Sequence, residues 1–140
     1  MKNFISIVFL LTTHYLSCQA LTWETFVDSI PTLSSPRSCD LNNDGFLDII
    51  IGGGTEGESS NFGVMAFDGV DGSLLWNATS RSELYGSPIF YDINGDGTDD
   101  VFITGREAQF LAFDGTTGSL LWDFFPYGTN PADSGWYNFY

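Results

Sequence analysis

The chain repeats itself, and this constrains its fold more than any other feature. Ser35-Pro36-Arg37-Ser38-Cys39-Asp40 returns as Ser87-Pro88-Ile89-Phe90-Tyr91-Asp92. An Asp/Asn/Gly loop follows each, then an apolar run, Leu47 to Ile51 in the first unit and Val101 to Thr104 in the second. Val64-Met65-Ala66-Phe67-Asp68-Gly69 returns as Phe110-Leu111-Ala112-Phe113-Asp114-Gly115, and both units close on Gly-Ser-Leu-Leu-Trp, at 72–76 and 118–122. The Asp loops lie 52 residues apart (40 to 92) and the tryptophans 46 (76 to 122), so the first unit carries an insertion of six residues within Gly52 to Gly63. That stretch is rich in Gly, Ser and Glu and reads as a longer solvated loop.

Each unit divides into four short strands, at 35–40, 47–52, 62–68 and 73–79 in the first and 86–92, 100–106, 108–114 and 119–125 in the second. Between them stand Asn43-Asp44-Gly45, Asp68-Gly69, Asp71-Gly72, Gly95-Asp96-Gly97 and Asp114-Gly115, residues that supply the positive φ angles of tight turns. No window past the N-terminal stretch sustains a helical period. Four short strands recurring every ~45–50 residues mark propeller blades. The expected fold is therefore all-β: β-propeller blades of four antiparallel strands, two blades present. A ring needs typically 4–8 blades, so the pair is expected to be part of a larger propeller of seven or eight blades. A small free-standing two-sheet sandwich is the alternative. The chain then divides into a signal peptide (1–20), a lead-in (21–34), a first blade (35–80), a second blade (81–126), and a next blade's start or a linker (127–140).

The first twenty residues differ from the rest. Lys2 precedes an apolar run from Phe4 to Leu11, and Ser17-Cys18-Gln19-Ala20 follows. This is the order of a secretory signal, cut after Ala20. The run is too short to span a membrane, which takes roughly 20 residues, and no later segment is long and apolar enough either. A bacterial lipoprotein acylated at Cys18 is a second reading, though Tyr15-Leu16-Ser17 fits the usual lipobox poorly. A secreted, extracellular or periplasmic location follows. Cleavage removes Lys2 and His14, the chain's only Lys and His, and leaves Arg37, Arg81 and Arg106 against 18 acidic residues (3 − 18 = −15). Such a surface repels nucleic acid and anionic membrane and draws cations. Cys39, the one cysteine left, has no partner for an intrachain disulfide and reads as a buried, inert thiol. Asn77-Ala78-Thr79 is a glycosylation sequon, meaningful only in a eukaryotic secretory pathway.

Both loops read D-x-N-x-D-G-x-x-D: Asp40, Asn42, Asp44, Gly45 and Asp48 in the first, Asp92, Asn94, Asp96, Gly97 and Asp100 in the second. Oxygens at positions 1, 3 and 5 turn inward when a backbone curls around a hard cation. Glycine at position 6 permits the sharp turn, and the carbonyl at position 7 (Phe46, Thr98) adds an oxygen. The bidentate Glu that an EF-hand carries at position 12 is replaced here by Ile51 and Ile103, so the last carboxylate has to come from Asp48 and Asp100 at position 9. Ordinary turn chemistry has no need of that aspartate. An all-oxygen set expects two calcium ions. Magnesium demands a tighter octahedron, and zinc would want His or Cys.

The S-P-x-x-x-D-L/I-N-x-D-G-x-x-D unit with its apolar run resembles the FG-GAP repeats of integrin α-chain propellers and their bacterial relatives, over residues 33 to 125. The resemblance implies a propeller and calcium held by Asp40, Asn42, Asp44, the Phe46 carbonyl and Asp48, and by Asp92, Asn94, Asp96, the Thr98 carbonyl and Asp100. The Phe-Gly element itself is met only by Phe62-Gly63. Ala66-Phe67-Asp68-Gly69-x-x-Gly72-x-x-x-Trp76, with its counterpart ending at Trp122, resembles the tryptophan-docking repeats of pyrroloquinoline-quinone dehydrogenases, in which the motif locks blades together. That implies buried positions for both tryptophans.

Without His or Lys in the mature segment, Ser-His-Asp, Cys-His and Lys-based mechanisms fall away. No carboxylate spacing argues for a glycosidase pair. The function expected is a calcium-stiffened binding or adhesion module, not an enzyme, with an unidentified protein or carbohydrate ligand and the remaining blades of a longer chain as partners. A segment of a quinoprotein dehydrogenase is the alternative, and a structural spacer a third reading.

Overall fold

The computed structural model describes residues 23–124. The signal, Cys18, its cleavage site and the segment from 125 to 140 lie outside the described residues. No helix among the described residues is long and apolar enough to cross a membrane.

Eight strands form two four-stranded antiparallel sheets, each a meander in chain order. The first holds β1 (Arg37–Cys39), β2 (Asp48–Gly52), β3 (Ser60–Phe67) and β4 (Leu74–Ser80), and the second β5 (Ile89–Tyr91), β6 (Asp100–Thr104), β7 (Phe110–Phe113) and β8 (Leu120–Asp123). The all-β reading, with four strands per unit, stands. β1 and β5 begin later than expected, because Pro36 and Pro88 have no N–H to give to a ladder. Part of the insertion lengthens β3, and its tip, Thr55 to Ser59, is exposed.

The two sheets repeat each other in register. Ile50 pairs with Ala66 and Ala66 with Trp76; Phe102 pairs with Ala112 and Ala112 with Trp122. Alternation along a strand separates two faces. Ile50, Val64, Ala66, Trp76 and Ala78 form one face of the first sheet, and Val101, Ile103, Leu111 and Phe113 the opposite kind of face on the second. These two faces close on one another as a single core with Leu41 and Leu84. The core is thus the gap between successive sheets, the packing that the blade reading requires.

The crossover from β4 to β5 is held by polar contacts. Gln109, fully buried, accepts the Arg81 N–H at 2.8 Å and donates to the carbonyls of Ser82 and Arg106 at 3.2 and 2.9 Å. Arg106 pairs with Glu83 and Glu56, and Arg81 with Asp123. A buried amide stripped of partners would be costly; here every donor and acceptor lies along the seam.

Candidate metal loops and the turns that hold them

Each Asp loop runs from the end of a first strand to the start of a second. Positions 4 and 6 take positive φ in both: Asn43 (60°) and Gly45 (88°), Gly95 (78°) and Gly97 (93°). Only glycine, and at some cost asparagine, accepts that region routinely, which is why the curl is written as N-D-G in one loop and G-D-G in the other.

The curl wraps its N–H groups around its own carboxylates. Asp40 accepts from Asp44 (3.2 Å) and Gly45 (3.0 Å), and Asp44 from Phe46 (2.8 Å). Asp92 accepts from Gly95 (2.6 Å) and Gly97 (3.1 Å), and Asp96 from Thr98 (2.9 Å). Asn42 and Asn94 turn their amides inward. Asn94 Nδ2 lies 3.0 Å from Asp96, 3.4 Å from Asp100 and 3.1 Å from Asp114. Asn42 Nδ2 lies 3.3 Å from Asp44 and 3.0 Å from Asp68.

Asp48 and Asp100 are fully buried. An ionised carboxylate in such a place needs donors or a cation. Asp48 accepts the N–H of Leu41 (2.8 Å) and of Gly69 (3.0 Å). Asp100 accepts those of Ile93 (2.9 Å), Asn94 (3.3 Å) and Gly115 (3.2 Å). The position-9 aspartate therefore ties its loop to the Asp-Gly turn between the third and fourth strands. That tie, and the arrival of Asp68 and Asp114 beside the loop amides, escaped sequence reasoning; the only available signal was Asp-Gly at the same place in both units.

The two loops also touch. Asn43 Nδ2 donates to Thr98 Oγ1 (2.9 Å), and Leu41 is buried beside Gly115, whereas Ile93 and Phe46 are exposed. Cys39 Sγ lies 3.6 Å from Asp99. Cys39 is half-buried; that burial, then the Asp99 charge and hydrogen bond, push the thiol up to about 11, so it stays protonated at neutral pH.

Among the described residues, no three His, Cys, Asp or Glu side chains by themselves form a group ready to hold a metal ion. The donor set is mixed: carboxylates, amide oxygens and loop carbonyls.

Residues 40–103 match the family of FG-GAP-like repeats, from the first residue of the first loop to the strand beyond the second. Over that stretch the chain is similar to FG-GAP-like repeats. No curated protein and no solved structure matches it. The matched span holds all ten loop positions singled out from the sequence.

The two motif tryptophans of these units part company. Trp76 is buried, donates Nε1–H to the Gly115 carbonyl at 2.7 Å and lays its ring on Gly118, where a Cβ would come within 2.6 Å of it. Trp122, expected to be equally buried, is 41% exposed and makes no hydrogen bond to a described residue through its indole N–H. It occupies the same register position, but no described Asp-Gly turn lies over it. Trp23, which no repeat singled out, fills the vacant role at the other end: Nε1 donates to the Gly69 carbonyl at 3.0 Å and the ring packs on Gly72.

Proposed function

We propose that the chain is an exported calcium-binding module of FG-GAP-like repeats that presents its loops to a protein or carbohydrate ligand at a cell surface. One observation carries the calcium part: the Asn94 N–H2 stands among carboxylate oxygens of Asp96, Asp100 and Asp114. Its two polarised hydrogens occupy the place of a cation for three negative groups. A hard divalent ion offers those oxygens far more than an amide does. Asp40, Asn42, Asp44, the Phe46 carbonyl and Asp48 would hold one ion, and Asp92, Asn94, Asp96, the Thr98 carbonyl and Asp100 the other. Bound calcium would cancel local charge and stiffen the loop; it has no chemical step to perform. The acid-rich, cation-poor composition supports the same reading.

Calorimetric titration of chelator-treated full-length protein tests it. Two calcium ions should bind, and one in Asp44→Ala or Asp96→Ala. A flat titration in the folded protein would reduce both loops to ordinary turns. Export is tested separately by the N-terminus of secreted material: Leu21 for signal cleavage, or an acylated Cys18 for a lipoprotein. The docked indoles favour a second reading, a quinoprotein segment, whose test is saturable binding of pyrroloquinoline quinone.

A further inference from the structure

Resting on the calcium reading above, we infer that Trp23 and Trp76 are positioning residues for the cation loops: each indole sets the affinity of the loop beneath the turn it docks on. The path is short. Trp76 donates to the Gly115 carbonyl (2.7 Å), and the Gly115 N–H donates to the Asp100 carboxylate (3.2 Å). That carboxylate accepts the N–H of Ile93, at position 2 of the second loop (2.9 Å). One residue earlier, Asp114 reaches the Asn94 amide at 3.1 Å. The first unit repeats each link, with Trp23 on the Gly69 carbonyl, the Gly69 N–H on Asp48, Asp48 on the Leu41 N–H and Asp68 on Asn42.

The turn between indole and loop has little freedom. A Cβ on Gly69 or Gly115 would collide with the carbonyl of Leu47 or Asp99. Gly72 and Gly118 hold positive φ (75° and 70°) against the indole rings. A rigid turn carries displacement rather than absorbing it. A cation drawing in Asp100 and Asp114 moves the turn that Trp76 grips, and Trp76 in turn fixes where those carboxylates stand. Such coupling is reciprocal between two binding events. It also crosses between units: Trp76 belongs to the first sheet, and the loop it governs lies in the second.

The test is calcium titration of full-length Trp76→Phe and Trp23→Phe. Phenylalanine keeps a ring on the glycine and removes the N–H. Trp76→Phe should raise the dissociation constant of the second site by at least about threefold, the worth of a modest hydrogen bond, and leave the first unchanged. Trp23→Phe should do the reverse, and Trp122→Phe should alter neither. Unchanged affinities in a calcium-binding protein, or equal loss at both sites, would overturn the inference. No calcium binding in wild type would remove the calcium reading itself. Should a variant not fold, the wild-type indole N–H resonances decide: calcium should shift those of Trp23 and Trp76 and leave that of Trp122 in place, and three still resonances at saturating calcium would refute the coupling.

Discussion

The covered face of the first sheet and the matching face of the second are built at equivalent positions from different residues, the shared tryptophan apart. On the first stand Ile50, Val64, Trp76 and Ala78, each at most 7% exposed, interlocked with Val101, Ile103, Leu111 and Phe113. On the second, the equivalents are Phe102, Phe110, Trp122 and Phe124. Phe110 meets Trp122 edge-on with ring centres 5.2 Å apart, Trp122 meets Phe124 at 5.9 Å, and Trp122 and Phe124 are 41% and 48% exposed. Aliphatics interdigitate where another sheet presses on them; aromatics support each other where none of the described residues does. The burial of a motif tryptophan is thus decided by the unit that follows it and not by its own repeat.

Tryptophan removal puts the largest strain on this contrast. Trp76→Ala should cost about 3–5 kcal/mol, as large buried rings do, and Trp122→Ala about 1 kcal/mol, the worth of its edge-on contacts. Equal losses in denaturant unfolding would mean that the two faces are equivalent after all. Gly69→Ala and Gly115→Ala sharpen the comparison from the other side. Both put a Cβ against a carbonyl, so both should lose a similar amount, about 1–3 kcal/mol. The loops come next. At ten times its dissociation constant, calcium should add about 1.4 kcal/mol per site, and Asp44→Ala or Asp96→Ala should each forfeit one such increment in calcium-dependent melting. The second site should bind more tightly, because Asp99 adds charge beside Asp100. At the insertion, which the second unit lacks, Glu56→Ala should change stability by less than about 0.5 kcal/mol, as an exposed ion pair does. The smallest effect concerns Cys39, whose place in the second unit is taken by Tyr91. With its pKa raised from 9.0 to about 11, the folded state keeps a proton that the unfolded state loses. Its contribution is intact below pH 9.0 and falls as pH rises toward 11. With chelator present, alkylation at pH 8 should be slower than for a free thiol, and Asp99→Asn should speed it.

The strands were legible because alternation and turn residues are local signals. Leu47 to Ile51 between a D-G turn and a glycine-rich loop leaves little else to build, and β2 forms there. The curl of the Asp loops was legible for the same reason, since positive φ at positions 4 and 6 is written in Asn43, Gly45, Gly95 and Gly97. The bonds of Asp48 and Asp100 were not, since their partners Gly69 and Gly115 lie 21 and 15 residues away and nothing local announces the pairing. Nor was the fate of the tryptophans. Trp76 and Trp122 share one motif, and Trp23 shares none, yet Trp23 and Trp76 dock alike.

Every such contact has a sense of direction. One side of a repeat offers an indole and the other offers a turn with a bare glycine and a free carbonyl, so like never meets like. A contact of that kind has no twofold axis, and copies joined by it follow one rotation applied again and again. Rotations that sum to a full circle close a ring; any other value winds an open helix. The angle between the two sheets, held by the Trp76 contact with Gly115 and Gly118 together with the apolar core the sheets share, therefore governs the symmetry available to any assembly built from this repeat.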